Sequence, residues 1–386
     1  MADSNVFNVW EHIRIKRISL ASLLESRTVI FLDLNYWIRL RDAKLGKPSD
    51  KVFIDLLDIA RDLVSRDICV FPITDSMFHE VRKQSGDRLK ETLNMIDELS
   101  QGVCIHNRST RVDCEILDFL QPSENKVTTK ELLWTRPYFL FINKIPRDTP
   151  FDQNTEIRMQ QLYADDMWKK GFSDLIDNFS NIEGFTGAIF EDKSDILNEG
   201  KANHTDEYNN FHELFMNEVA GAIDTVKDEI MGCWEYLYKN ASGNTLTESE
   251  KEERWNNKDF QKGIYNVFRV KKAQKHLPYI HVMAGCHAAM RWDENLTYEG
   301  NHLFDFEHAA CALPYADVFF TERQLKHLVT QNQLKLDQLY SCEVVAKVKE
   351  AQTYLEDLSS RMESPVDSCL KTSKPRKTIR RRSIRR

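Results

Sequence analysis

Long apolar runs are missing from this chain. A membrane-spanning helix needs ~18 apolar residues, and the longest candidates, such as residues 138–142, are short core segments. Glycine and proline are scarce, at 13 and 10 of 386 residues, and with 41% apolar residues this excludes collagen-like and disordered classes. No Cys-x-x-Cys pair occurs among the eight cysteines at 69, 104, 114, 233, 286, 311, 342 and 368. They read as reduced, mostly buried small side chains. Cys286-His287 and His308-x-x-Cys311 match no compact zinc module, and two helices with small core residues explain them better. The basic start with His12, Arg14, Lys16 and Arg17 leads into no apolar stretch or small-residue cleavage site. A secretory leader is therefore not expected, and the chain is expected in the cytoplasm, away from membranes. Gly-x-Ser-x-Gly, a Walker loop and His-Glu-x-x-His are all absent, so nucleophile-elbow, P-loop and zincin chemistry have no motif to rest on.

Acids are absent from one place in particular, the last sixteen residues. Lys371, Lys374, Arg376, Lys377, Arg380, Arg381, Arg382, Arg385 and Arg386 stand there with no counter-charge. Taking these nine charges from the chain's net charge of -7 leaves -16 on the first 370 residues. An acidic body with a basic end has two kinds of partner. The tail has no core-forming pattern, reads as disordered on its own, and suits phosphate contact through residues such as Arg380, Arg381 and Arg382. Folding back on the acidic body is the other reading.

The length suggests two or three domains at about 150 residues each, or one domain with a large insertion. Residues 28–34, Thr-Val-Ile-Phe-Leu-Asp-Leu, are β-formers without alternation, as in a strand buried on both faces of a parallel sheet. A loop with Gly46 and Pro48 follows, then helical spacing over 49–65, a second buried strand at 69–73 and a helix capped by Thr74 or Asp75. Leu89, Leu93, Ile96 and Leu99 predict another helix. From about 109 to 277 the periodicity is almost wholly helical; residues 211–237 predict one long helix and 240–257 a polar connector. Helices at 281–292 and 304–312, a strand at 317–321, a helix at 324–334, a strand at 342–346 and a helix at 351–358 restore the α/β pattern. The predicted organisation is an α/β domain in two parts, 1–108 and 278–362, a helical insertion at 109–277 and the basic tail at 363–386.

Parallel sheets bind ligands beyond the carboxyl ends of their strands. Asp33 ends the first strand and Asn35 follows it; alone, Asp33 reads as a turn cap. Glu80 lies in the first turns of the helix after the second strand, where a Glu usually serves the helix dipole and Asp75 is the favoured cap. Asp305 starts a helix of small residues, Asp317 enters the next strand, and Thr321 and Glu322 leave it. His308 shares the helix face of Asp305, while Glu307 points elsewhere. His308 reads first as a packed histidine and second as a group that orients a carboxylate or meets substrate. Tyr36 and Trp37 read as core, with base stacking as the alternative. Acids converging from three distant segments would raise one another's pKa unless a cation neutralises them. A carboxylate pocket suits Mg²⁺ or Mn²⁺ rather than zinc, and such ions activate water in phosphodiester hydrolysis.

Three blocks then resemble a known pattern: Val29-Ile-Phe-Leu-Asp-Leu-Asn-Tyr-Trp37, Phe71-Pro-Ile-Thr-Asp-Ser-Met-Phe-His-Glu80 and the segment 305–322, Asp-Phe-Glu-His-Ala-Ala-Cys-Ala-Leu-Pro-Tyr-Ala-Asp-Val-Phe-Phe-Thr-Glu. In order, element type and the step from Asp305 to Thr321 they resemble the acid-bearing blocks of the PIN-like nuclease superfamily. That resemblance implies a three-layer α/β/α fold with a central parallel sheet and a magnesium- or manganese-dependent ribonuclease, of a kind that includes bacterial toxins. It implies that Asp33, Glu80 and Asp305 are metal-binding acids and that Thr321 is the hydroxyl residue at the end of the fourth strand. The family's fourth acid falls on Arg323 here, so either Glu322 or Asp317 takes its role. Glu80 and Asp305 are 225 residues apart, far more than such domains usually carry between these acids, so the helical insertion is expected near the substrate face. There it would gate the site, bind RNA, or dimerise.

The expected activity is a metal-dependent endoribonuclease, of the toxin or phage-defence kind. Asp33, Glu80, Asp305, Asp317 and Glu322 are its candidate acids, and Asn35, Thr321, His308 and Arg323 its candidate substrate contacts. A neutralising partner protein or self-association through the insertion would restrain it. Two other readings stand beside it: a non-catalytic nucleic-acid-binding or scaffold protein, and a DNA nuclease with the same chemistry.

Overall fold

The computed structural model describes residues 8–47, 51–120, 129–142, 144–146, 150–180, 193–204, 207–270 and 274–363. The continuous apolar run after Arg27 forms strand β1 (Thr28–Leu32), and it is central, as its lack of alternation requires. The other strands are β2 (Cys69–Val70), β3 (Cys104–Ile105), β4 (Trp134–Thr135), β5 (Val318–Phe320) and β6 (Glu343–Val345). Four make a parallel sheet in the order β2-β1-β5-β6, with Ile30 opposite Val318, Leu32 opposite Phe320 and Phe320 opposite Val345. Strand side chains alternate between faces. Phe31 accordingly meets Phe319 and the His308 ring, whereas Phe320 meets Tyr36 and Tyr354 on the other side. Helices therefore cover both faces, His302–Tyr315 on one and Val348–Glu363 on the other. This is a mixed α/β architecture around a four-stranded parallel sheet.

Several elements depart from what periodicity predicts. β1 stops at Leu32 because Asp33 turns to cap a helix, Leu34–Lys44, in the stretch expected to be loop. A helix, Val9–Leu24, also precedes the sheet and buries Val9, Ile13, Leu20 and Leu24 on one face. β2 ends at Val70, two residues before Pro72, which has no N–H to continue a ladder. Thr74 rather than Asp75 caps the helix Asp75–Val81, its hydroxyl accepting from Met77 N–H.

The middle third is mostly helical, yet it contributes β4, which pairs antiparallel with β3. The predicted long helix is two, Phe211–Thr225 and Lys227–Ser242, broken at buried Val226. The halves have different partners: the first packs on Pro278–Trp292, the second on Arg108–Leu120, and no straight rod meets both. The expected connector at 240–257 contains a helix, Glu248–Asn256, held by a capping box of Thr247 and Glu250. Buried side chains of this third, among them Phe139, Phe172 and Val219, belong to the same apolar cluster as Ile30 and Phe319.

Candidate metal centre

Strand order reverses its direction of growth at β1: β2 lies on one side, and β5 with β6 on the other. The carboxyl ends of β1 and β5 thus form the crevice where such sheets hold ligands. Asp33 sits there, its N–H bonded to Phe320 carbonyl at 2.9 Å. One carboxylate oxygen accepts from Leu34 N–H at 2.6 Å and the other from Thr321 hydroxyl at 3.0 Å. Thr321 is itself fixed by its N–H to Val345 carbonyl. Asp33 therefore caps a helix, as its residue type alone suggests, and faces the crevice as well.

The helix His302–Tyr315 brings Asp305 in its first turn and His308 one turn later. Ligand atoms of Asp33, Asp305 and His308 all lie within 4.8 Å of one another, the one such metal-capable group among the described residues. Glu80, buried in the helix Asp75–Val81, completes the cluster. His308 stands between carboxylates, Nδ1 3.8 Å from Asp33 Oδ1 and Nε2 3.5 Å from Glu80 Oε2. Its side chain is wholly buried, and neither ring nitrogen has a hydrogen-bond partner.

Burial and mutual repulsion set the electrostatics. Asp33 is pushed up to about 6, chiefly by burial, against the pull of its bonds from Thr321 and Leu34. Glu80 is pushed up to about 8 by burial and by Asp33, with Lys83 opposing. Asp305 reaches about 8 through burial and the charges of Asp33, Glu80 and Glu322. Burial drives His308 down to about 3, so its imidazole is neutral at physiological pH and has a lone pair to give. Neutral imidazole with clustered carboxylates is a donor set that a divalent cation fits.

No family model, curated protein or solved structure matches the chain.

Not every predicted residue joins the cluster. Asp317 lies at the opposite edge of the sheet. It immediately precedes β5, beside Val29, whose N–H donates to its carboxylate at 2.9 Å, four residues and roughly 13 Å of strand from Thr321. The parallel register that places Asp33 beside Thr321 removes Asp317, and its part as the fourth acid is corrected to that of a cap on the strand's entry. Glu322 is at the right end: exposed, it accepts from Asn35 side-chain N–H at 3.2 Å and raises the pKa values of Asp33, Glu80 and Asp305. Arg323 is exposed at the start of the next helix. With Asn35 and Glu322 it lines a groove of about 550 Å³ that also takes Arg39. Tyr36 and Trp37 are core. Arg380, Arg381 and Arg382 lie outside the described residues. Sequence reading passed over Arg39 and Lys83; the signal for Arg39 is its place one helical turn after Asn35, on the same face.

Proposed function

We propose that this chain is a divalent-metal-dependent endoribonuclease with a PIN-like centre. What carries the reading is the convergence of Asp33, Glu80 and Asp305, from segments up to 272 residues apart, at the carboxyl ends of β1 and β5. Buried acids that raise one another's pKa are poor ornaments for a fold, because each costs stability at neutral pH. They are good ligands once a cation replaces the protons. A bound Mg²⁺ or Mn²⁺ would polarise a phosphate and lower the pKa of its water.

The chain's own residues supply the rest. Thr321 and Leu34 N–H hold the Asp33 carboxylate in one orientation, so its lone pairs face the crevice. Glu322 and Asn35 sit at the rim, and the adjoining groove presents Arg39 and Arg323 to a phosphate backbone. The resemblance of the three acid-bearing blocks to PIN-like nucleases agrees in order and element type with this arrangement.

The test is cleavage of a structured RNA and a matched single-stranded DNA by the full chain with Mn²⁺ or Mg²⁺. RNA is cut in preference to DNA, excess EDTA stops it, and Asp33→Asn lowers the rate at least roughly a hundredfold, about 2.7 kcal/mol. Cleavage that persists in EDTA contradicts the reading, and preferential cutting of DNA transfers it to a deoxyribonuclease.

A further inference from the structure

We infer that His308 is itself a metal ligand, with Glu80 as the carboxylate that orients it, and that the centre therefore selects Mn²⁺ over Mg²⁺. This rests on the metal-centre reading above and goes beyond a carboxylate-only site.

The first support is the histidine's isolation. An imidazole wholly inside the protein with both nitrogens unpartnered is costly, because its polar atoms lose water and gain nothing in return. The buried histidine at 281 bonds Tyr340 hydroxyl at 2.9 Å, and the half-buried one at 287 bonds Tyr298 hydroxyl at 3.0 Å. His106 is buried with both nitrogens unpartnered as well, but its charged neighbours are Arg17 and Arg111, so of the two only His308 faces carboxylates. His308 is close to two carboxylates but bonded to neither.

The second support is its direction. Nδ1 faces the side of Asp33, and ligand atoms of Asp33, Asp305 and His308 lie within 4.8 Å of one another. Donor atoms around one cation lie roughly 3–4.4 Å apart at bond lengths of about 2.0–2.2 Å, so small side-chain movements gather these three. Nε2 faces Glu80 at 3.5 Å. Metal-binding histidines as a rule give their second N–H to a carboxylate or carbonyl, which fixes the tautomer and strengthens the donor. Glu80 is placed for that task.

The third support is the chemistry of the donor set. Mg²⁺ prefers oxygen ligands and gives up water reluctantly, whereas an imidazole nitrogen draws first-row transition ions. Two carboxylates and one imidazole suit Mn²⁺, which accepts oxygen and nitrogen together.

The experiment is Mn²⁺ and Mg²⁺ titration calorimetry with pulsed EPR of bound Mn²⁺, on untagged full-length protein made with ordinary and with ¹⁵N-labelled histidine. The expected result is Mn²⁺ binding tighter than Mg²⁺ and a ¹⁴N coupling to Mn²⁺ that the label replaces. His308→Gln abolishes the coupling and weakens Mn²⁺ more than Mg²⁺. Glu80→Gln keeps the coupling and weakens Mn²⁺ by about 10- to 100-fold. Bound Mn²⁺ without histidine nitrogen coupling in the wild type overturns this inference and leaves a carboxylate-only nuclease standing. Absence of Mn²⁺ and Mg²⁺ binding overturns both. The wild-type spectrum decides, so the conclusion does not depend on how well either variant folds.

Discussion

Asp33 shows how one side chain serves the fold and the site together. Its bonds from Leu34 N–H and Thr321 hydroxyl both pull its pKa down while burial pushes it up, with a net result of about 6. Thr321→Val removes one donor without changing shape. It should raise the Asp33 pKa further and weaken Mn²⁺ about tenfold by calorimetry, with the chain still folded. Asp305 offers a pH test. Its pKa is about 8 in the folded chain against an ordinary 3.8, so the folded state binds this proton more tightly than the unfolded state. In metal-free buffer that stabilisation is complete below about pH 4 and is lost as pH rises through 8. Asp305→Asn has no such proton to lose. It should match the wild type in urea unfolding near pH 4 and exceed it at pH 8 by on the order of 1–3 kcal/mol, a range kept low because Asp305 is partly exposed. Saturating Mn²⁺ should reverse the order, since only the wild type gains from binding. The positions of Asp33 and Asp305 were readable in the sequence because one follows a strand and the other opens a helix, whereas Glu80, expected in the first turns of its helix, is the last residue but one of Asp75–Val81. The choice between Asp317 and Glu322 was not readable, because both flank one strand and only the register says which end meets Asp33.

The helix His302–Tyr315 has two polar faces. Asp305 and His308 look into the crevice. Glu307, on the other side, accepts from Tyr279 hydroxyl at 2.6 Å and pairs with Arg111 at 3.5 Å. Arg111, wholly buried, also donates to His106 carbonyl at 3.0 Å and Ala310 carbonyl at 3.3 Å. The middle third of the chain is thereby tied to the element that carries half the centre. Arg111→Met should leave the Glu307 charge buried without its partner and cost about 3–5 kcal/mol in urea unfolding. Glu307→Gln with Arg111→Met should recover part of that loss. Equal stability of Arg111→Met and the wild type would show that the pair anchors nothing. Glu307 was expected to point away from Asp305, and helical spacing sufficed for that. Helix boundaries were harder to read. The helix Val9–Leu24 hides its apolar face among basic residues, and the break at Val226 depends on which neighbours the two halves meet, a tertiary choice that periodicity does not contain.

In the molecule as a whole, the four-stranded parallel sheet was foreseeable because all four of its strands are short buried β-runs. The pairing of β3 with β4 was not, because β4 lies in a stretch whose periodicity is otherwise helical. Among the described residues no helix is long and apolar enough to cross a membrane. The charge division between body and tail is a matter of sequence alone. Deleting residues 371–386 removes nine positive charges. RNA affinity should fall, and on single-stranded RNA the slope of log affinity against log salt should shrink by at most about 6 units if every charge meets a phosphate. Mn²⁺ affinity should not change, and an unaltered salt slope would take the tail out of substrate binding.

Asp33 and Asp305 are proposed to hold one metal centre that cuts RNA. A single assay asks this directly: cleavage of a structured RNA by wild type, Asp33→Asn and Asp305→Asn at saturating Mn²⁺, with folding of each checked by circular dichroism. The prediction is cutting by the wild type alone, stopped by EDTA. Folded variants that cut as fast as the wild type would contradict it.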